Sequence, residues 1–204
     1  MDILKMIAFI AMTLDHIAVM EIVNEDSLRI IGRLACPIFC LLAGNGAVKT
    51  RDRNAYIKRL FAIAVISQIL HIYSIGYQVN ILFSLCMGVL LFHATRENSS
   101  NFINVNLLLF HLVAFPFVSY GLMAVMLTYN AARMSILWCF VSIMLLNFNI
   151  YKLDEQNLYY ILFSFLGMGA YLLLRNYDFK IDVMKSRLLY LYYPLHLGLL
   201  ILLR

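Results

Sequence analysis

The sequence predicts an all-α, polytopic integral membrane protein with about nine transmembrane helices, within a range of roughly eight to ten. Of its 204 residues, 63% are hydrophobic and only 13% are charged, and the mean hydropathy is +0.84. A soluble domain carries roughly twice that charged fraction. Because each span takes about 20 apolar residues, the chain has room for these spans and short loops only. We therefore expect one transmembrane domain over residues 1–204.

Apolar runs separated by short polar segments define the predicted spans in chain order. They cover residues 3–20, 29–47, 56–73, 79–94, 103–117, 120–130, 134–149, 158–174 and 188–203. The run at 120–130 is too short to cross a bilayer alone. It either re-enters from one side or continues 103–117 as one helix broken around Pro116.

The charges of the loops predict the orientation of the spans. With an odd number of crossings every basic loop falls on one side, and cytoplasmic loops are enriched in Lys and Arg. We therefore expect a multi-pass membrane protein with a cytoplasmic N-terminus and with Arg204 outside. The same bias accounts for the net charge of +5 without a nucleic-acid partner. The basic loops contain Lys49, Arg51, Arg53, Lys58, Arg59, Arg175, Lys180, Lys185 and Arg187, and the acidic loop contains Glu21, Glu25 and Asp26.

Two adjacent titratable residues, Asp15 and His16, lie in the outer half of the first span. Ionisable groups inside a membrane span are costly and usually line a cavity, a proton path or a reaction site. Burial and a nearby carboxylate shift the proton affinity of an imidazole in opposite directions, so the pair is tunable near neutrality, as a general base must be. The alternative is a structural pair that holds helices together.

The second span carries Arg33 in the run IIGRLACPIF, where a permanent positive charge is expensive. Arg33 could pair with Asp15 structurally, or it could hold an oxyanion or a substrate carbonyl. Arg29 lies one helical turn earlier and could extend its charge toward the membrane surface.

Polar residues of the third and fourth spans divide into two groups. Tyr56 and Arg59 lie one turn apart at the cytoplasmic end, where they either follow the positive-inside bias or bind the anionic part of a cofactor. Gln68 lies near the outer end of the third span, and Asn80 with Ser84 forms a polar face on the fourth. Gln68 could equally be a helix–helix contact.

The last span contains YLYYPLHL, in which Tyr193 and His196 share one helical face. His196 is thus a second titratable group at depth. The remaining histidines are interpreted as structural; they are His71, His93 and His111.

The cysteines lie in apolar runs and form no CxxC pair, so neither a disulfide framework nor a metal site is predicted. They are Cys36, Cys40, Cys86 and Cys139.

Six motifs in a fixed order resemble the TraX family over about residues 3 to 200. They are MTLDHI, RIIGRLACPIF, YIKRLFAIAVISQI, NILFSL, the Tyr-Gly pair of SYGLMAV, and the terminal YPLHL. The family often has an acidic residue before the Tyr-Gly pair, whereas this chain has Ser119, so we assign that position no role.

The resemblance implies an acetyltransferase that uses acetyl-CoA as acyl donor. The family's founding member N-acetylates the first residue of a conjugative pilin, and the family is similar to wider membrane acyltransferases that carry acyl groups across the bilayer. Basic cytoplasmic loops would meet the CoA phosphates. The outer polar cluster would meet the amine or hydroxyl of an acceptor such as pilin or an envelope glycan.

Roles for individual residues follow from this reading. His16 would be the general base or a transient acyl carrier, Asp15 would orient or tune it, and Arg33 would stabilise negative charge on the thioester oxygen. The remaining members of the catalytic site would be His196 and Tyr193. The cofactor contacts would be Arg59, Arg133 and Tyr56, and the substrate contacts would be Asn80, Ser84 and Gln68.

Two other functions are compatible with the same residues. Buried Asp, His and Arg side chains also form proton relays, so a small proton-coupled transporter is one alternative. A non-catalytic assembly factor of a pilus or secretion machine is the other.

Overall fold

The computed structural model describes residues 2–23, 25–96, 121–150, 155–176 and 186–204. Every element in these ranges is a helix, which confirms the all-α class. The helices are α1 (Asp2–Val19), α2 (Asp26–Gly32), α3 (Ala35–Lys49), α4 (Arg53–Ser74), α5 (Ile81–Arg96), α6 (Gly121–Ala132), α7 (Ile136–Ile150), α8 (Glu155–Leu174) and α9 (Ser186–Leu203). The predicted span at 103–117 lies outside the described residues, as do His111, Pro116 and Ser119.

The second predicted span forms two helices instead of one. The backbone N–H groups of Arg33 and Leu34 donate to the carbonyls of Ile30 and Ile31, which is the tighter three-residue spacing. The backbone of Leu34 lies against α8, where a Cβ on Gly167 would come within 2.9 Å of the Leu34 carbonyl oxygen. The junction between α2 and α3 therefore places Arg33 at a break in the helix.

Two segments of the described chain are long and apolar enough to cross a membrane by themselves. They are Asp26–Lys49, which joins α2 and α3, and Arg53–Ser74, which is α4. Shorter apolar helices cover Ile81–Arg96, Leu158–Leu174 and Leu191–Leu203. These helices are compatible with membrane association, but they do not confirm nine crossings.

The short helix α6 is the centre of the bundle. Ala124 and Leu127 are fully buried, and α6 packs between α3 and α5. Close approach depends on small residues, since a Cβ on Gly44 or Gly88 would come within 2.6 Å of Thr128 atoms. At about 18 Å its length is well below the thickness of a bilayer core, so the prediction that this segment is too short to cross alone is consistent with the helix observed.

Alternating helix directions give the bundle two distinct ends. The start of α1, the end of α3 and the start of α4 meet at one end, which we call the basic end because it carries Lys5, Lys49 and Arg59. The end of α1, the start of α3 and the end of α4 meet at the opposite end. Helix α9 packs on α4 and α1 and completes the wall between the two ends.

Candidate active site

A polar cavity of about 630 Å³ opens at the end opposite the basic end. This volume lies within the usual range of about 300–1,000 Å³ for small-molecule sites. Helices α1, α2, α3, α4, α5 and α9 contribute to its wall, together with the segment that links α4 to α5. Its polar and charged lining residues are Asp15, His16, Arg29, Arg33, His71, Gln78 and Tyr193.

His16 and His196 form a buried pair behind this cavity, although the two residues are 180 positions apart. His16 Nδ1 lies 2.8 Å from His196 Nε2. The ring planes differ by only 9° and the centroids are 5.0 Å apart, as expected for an in-plane N–H···N hydrogen bond. The sequence predicted that both residues belong to one site, and the structure brings them into direct contact.

A second hydrogen bond of His196 shows which ring nitrogens of the pair carry hydrogen. His196 Nδ1 lies 2.9 Å from the carbonyl oxygen of Tyr192. Because a carbonyl oxygen only accepts, Nδ1 carries the hydrogen and neutral His196 has its lone pair on Nε2. His16 Nδ1 must therefore donate, which leaves the lone pair of His16 on Nε2. That nitrogen makes no hydrogen bond with any residue the structure describes.

The seam between α1 and α9 explains how the pair is held. Phe9, Thr13 and His16 recur at helical spacing on one face of α1. Tyr192 packs on Phe9 at 4.5 Å between ring centroids, and its hydroxyl lies 2.7 Å from Thr13 Oγ1. Since Thr13 already donates to the Phe9 carbonyl, Tyr192 is the donor in the second bond. The rings of Tyr192 and His196 are nearly parallel, 5.2 Å apart.

Asp15 lies in the cavity wall, but it is not the hydrogen-bond partner of His16. Successive helical residues point about 100° apart, so Asp15 turns toward α2 while His16 faces α9. Asp15 Oδ1 is buried without a hydrogen-bond partner among the described residues. A Cβ on Gly32 would come within 2.7 Å of that oxygen, so glycine at this position leaves room for the carboxylate.

Two guanidinium groups give the same wall a positive character. Arg33 is buried, and its Cζ lies 4.8 Å from the centroid of the Tyr160 ring, in cation–π range. Arg29 also lines the cavity, and its Nε has no hydrogen-bond partner in the described part of the chain. The wall thus presents two positive charges beside one carboxylate.

His71 is a cavity residue that the sequence analysis interpreted as structural. It is 3% exposed and its Nδ1 has no partner among the residues described. The residues that follow α4 approach the same space, including Gly76 with φ of +128° and the exposed Tyr77. Sequence patterns cannot separate such a histidine from a packed one, because the cavity is formed by helices remote in the chain.

The predicted substrate contacts are not in the lining of the polar cavity. Asn80 Nδ2 donates to the Ala64 carbonyl and to Gln68 Oε1, both at 2.9 Å, and its Oδ1 accepts from Leu82 N at 3.0 Å. Gln68 Nε2 donates to the Gln78 carbonyl at 2.9 Å. This clamp joins α4 to the start of α5. Ser84 is fully buried on α5, and its Oγ has no partner within the described chain.

The predicted cofactor contacts all belong to the basic end. Tyr56 is buried and its hydroxyl donates to the Ala43 carbonyl at 3.1 Å. Arg59 and Arg133 are exposed. They line neither the polar cavity nor a smaller apolar cavity that extends from the basic end. They adjoin Leu60 and Ala132, which pack in one apolar cluster there.

A second cavity, which we call the apolar chamber, extends from the basic end and has a volume of about 280 Å³. Lys5 and Tyr56 line it together with mostly aliphatic and aromatic side chains from α1, α3, α4, α5 and α9. The linings of the chamber and the polar cavity have three residues in common. They are Phe39, Ile81 and Tyr193.

Comparison with known proteins supports the family resemblance. The family model described as TraX protein matches residues 1–204. The chain is 35% identical over 106 residues to an uncharacterized protein of Rickettsia prowazekii, covering 50% of this chain and 40% of that protein. It is 31% identical over 104 residues to a probable fimbrial assembly protein, FimC of serogroup H1, from Dichelobacter nodosus, covering 43% of each. The matches thus span less than half the length of these relatives. No solved structure matches the chain.

Proposed function

The chain belongs to the TraX family, and from this premise we propose that it is a membrane-embedded acyltransferase. It moves an acetyl group from cytoplasmic acetyl-CoA to an amine or hydroxyl on the outer side of the bacterial inner membrane. The name of the Dichelobacter relative, a probable fimbrial assembly protein, favours a pilus subunit as the acceptor. The basic end would face the cytoplasm, as the loop charges predict.

The observation that carries this proposal is the proton arrangement of His16. Its Nδ1 is engaged by His196, so the basic lone pair lies on Nε2 of a residue in the cavity wall. A general base must present such a lone pair to the proton it removes. In this reading His196 is a positioning residue, because it acts through His16.

In the proposed reaction an amide bond replaces the thioester bond, and one proton passes from the acceptor amine to CoA through His16. The acceptor nitrogen attacks the thioester carbonyl, and His16 Nε2 takes the proton that the nitrogen loses. The carbonyl oxygen becomes an oxyanion, which the positive charges of Arg33 and Arg29 stabilise. The carbon–sulfur bond then breaks, and the imidazolium returns the proton to the CoA thiolate. Asp15, whose Oδ1 has no hydrogen-bond partner among the described residues, would accept a hydrogen bond from the acceptor amine.

Replacing His16 by Gln tests the proposal. Gln keeps a hydrogen-bonding group of similar size but has no basic nitrogen. We expect single-turnover transfer of labelled acetyl from acetyl-CoA to a peptide amine to fall by roughly 10²- to 10⁴-fold, with acetyl-CoA binding retained. The matched control is His93→Gln, the same exchange at a histidine of α5 outside the cavity lining. Transfer by His16→Gln at the wild-type rate would remove His16 from the chemistry.

Binding of acetyl-CoA by the wild-type protein separates this proposal from a transporter. A proton-coupled transporter has no reason to bind the coenzyme. Titration calorimetry in detergent that detects no acetyl-CoA binding would therefore overturn the acyltransferase assignment.

A further inference from the structure

The apolar chamber is a cavity that the proton transfer at His16 does not use. It begins at the basic end, where Lys5 lines it, and it ends at Phe39, Ile81 and Tyr193. Along α3 it extends from Gly46 to Phe39, about 10 Å at 1.5 Å per residue. The polar cavity begins at those same three residues. The two cavities therefore lie end to end through the bundle.

We propose that the apolar chamber binds the thioester-bearing arm of the acyl-CoA donor and delivers the acyl group past Tyr193 into the polar cavity. This inference rests on the proposed acyltransferase function. The volume of about 280 Å³ falls just below the usual range for whole small-molecule ligands. It suits a narrow chain, while the nucleotide of the donor remains outside at the basic end.

The charged mouth and the apolar interior of the chamber fit entry of the donor from the basic end. Lys5 lies at the mouth, where it is partly exposed and forms an ion pair with Asp2 at 3.0 Å, and the rest of the basic end carries the exposed Lys49 and Arg59. The interior is lined by apolar side chains such as Leu42, Leu60 and Leu82, which suit an uncharged arm and exclude phosphates. The phosphates of the donor would accordingly stay among the basic residues, and only the thioester would pass inward.

Tyr193 is the polar member of the three residues shared by the two cavities. Its side chain is buried, and it makes no hydrogen bond to a described residue. A thioester carbonyl that leaves the chamber would meet this hydroxyl first. Tyr193 would donate a hydrogen bond to the carbonyl oxygen as it becomes an oxyanion during attack by the acceptor. The positive charges of Arg33 and Arg29 would act on the same oxygen from the far wall.

Filling the chamber tests the proposal. Leu82 is half-buried and lines the chamber but not the polar cavity, so Leu82→Trp narrows only the donor path. We expect acetyl-CoA binding, measured by titration calorimetry, to weaken about tenfold or more. The matched control is Leu195→Trp on α9, where the leucine is 66% exposed and binding should not change. Leu42→Phe on α3 adds less side-chain volume to the chamber, and it replaces Leu82→Trp as the test variant if Leu82→Trp does not fold.

The outcomes distinguish this inference from the proposed function. In one outcome the wild type transfers acetyl, and both Leu82→Trp and Leu42→Phe bind acetyl-CoA with wild-type affinity. The chamber is then not the donor path, but the acyltransferase assignment stands. If the wild type binds no acetyl-CoA, both proposals fail.

Tyr193→Phe gives a second, independent measurement. We expect the rate of transfer to fall about 10²- to 10³-fold while acetyl-CoA affinity stays at the wild-type value. A structural role would weaken affinity together with rate, and an unchanged rate would remove Tyr193 from oxyanion stabilisation.

Discussion

The hydrogen bond from His16 to His196 should control how much of His16 has its basic lone pair on Nε2. His196→Leu removes the acceptor for His16 Nδ1–H, so that hydrogen is left buried without a partner. Losing the partner of a buried polar group costs about 1–3 kcal/mol. The same free energy then favours the tautomer with the lone pair on Nδ1. At 1.36 kcal/mol per tenfold, the competent tautomer and the transfer rate should fall about 5- to 150-fold.

The assay is single-turnover transfer from acetyl-CoA to a peptide amine, with acetyl-CoA affinity measured in parallel. His196→Gln offers a carbonyl oxygen as acceptor, so it should recover most of the rate. Tyr192→Phe is the packing control, because it removes the bond to Thr13 but keeps the ring against Phe9. A rate for His196→Leu within twofold of wild type would refute the tautomer argument, as would equal losses in the Leu and Gln variants.

Three further predictions concern packing, the polar clamp and orientation. Gly44→Ala should lower the free energy of unfolding by about 1–3 kcal/mol, because the added Cβ would meet the backbone of α6. The control is Gly169→Ala on α8, where a Cβ meets nothing within 4 Å, and it should leave the midpoint of thermal unfolding unchanged or raise it. Asn80→Ala should lower the midpoint of thermal unfolding but leave the KM for the acceptor peptide unchanged; a raised KM with wild-type stability would return Asn80 to the substrate contacts. Cysteines introduced at the exposed Glu25 and Asn54 should react with a membrane-impermeant thiol reagent from opposite sides, and labelling of both from one side would contradict the predicted orientation.

The sequence by itself determined the helical class, the family and which polar residues lie inside apolar runs. Its apolar runs have the length of helices, so the predicted spans for α1, α4 and α5 agree with the structure within a few residues. Asp15, His16, Arg33 and Tyr193 were recognisable because charged or titratable groups are rare in apolar runs. The structure places all four in one cavity wall.

Only the tertiary structure decided which of these residues touch. Helical periodicity fixes which side chains share a face, but not which helix that face meets. It therefore could not show that His16 bonds to His196 across 180 positions, nor that Asp15 turns away toward Gly32. The sequence predicted that Asn80 contacts the substrate. In the structure its side chain instead accepts a hydrogen bond from the Leu82 backbone N–H and caps the start of α5. The apolar chamber is invisible in the sequence because its lining residues have the pattern of ordinary core residues, and they form a cavity only when five helices pack around it.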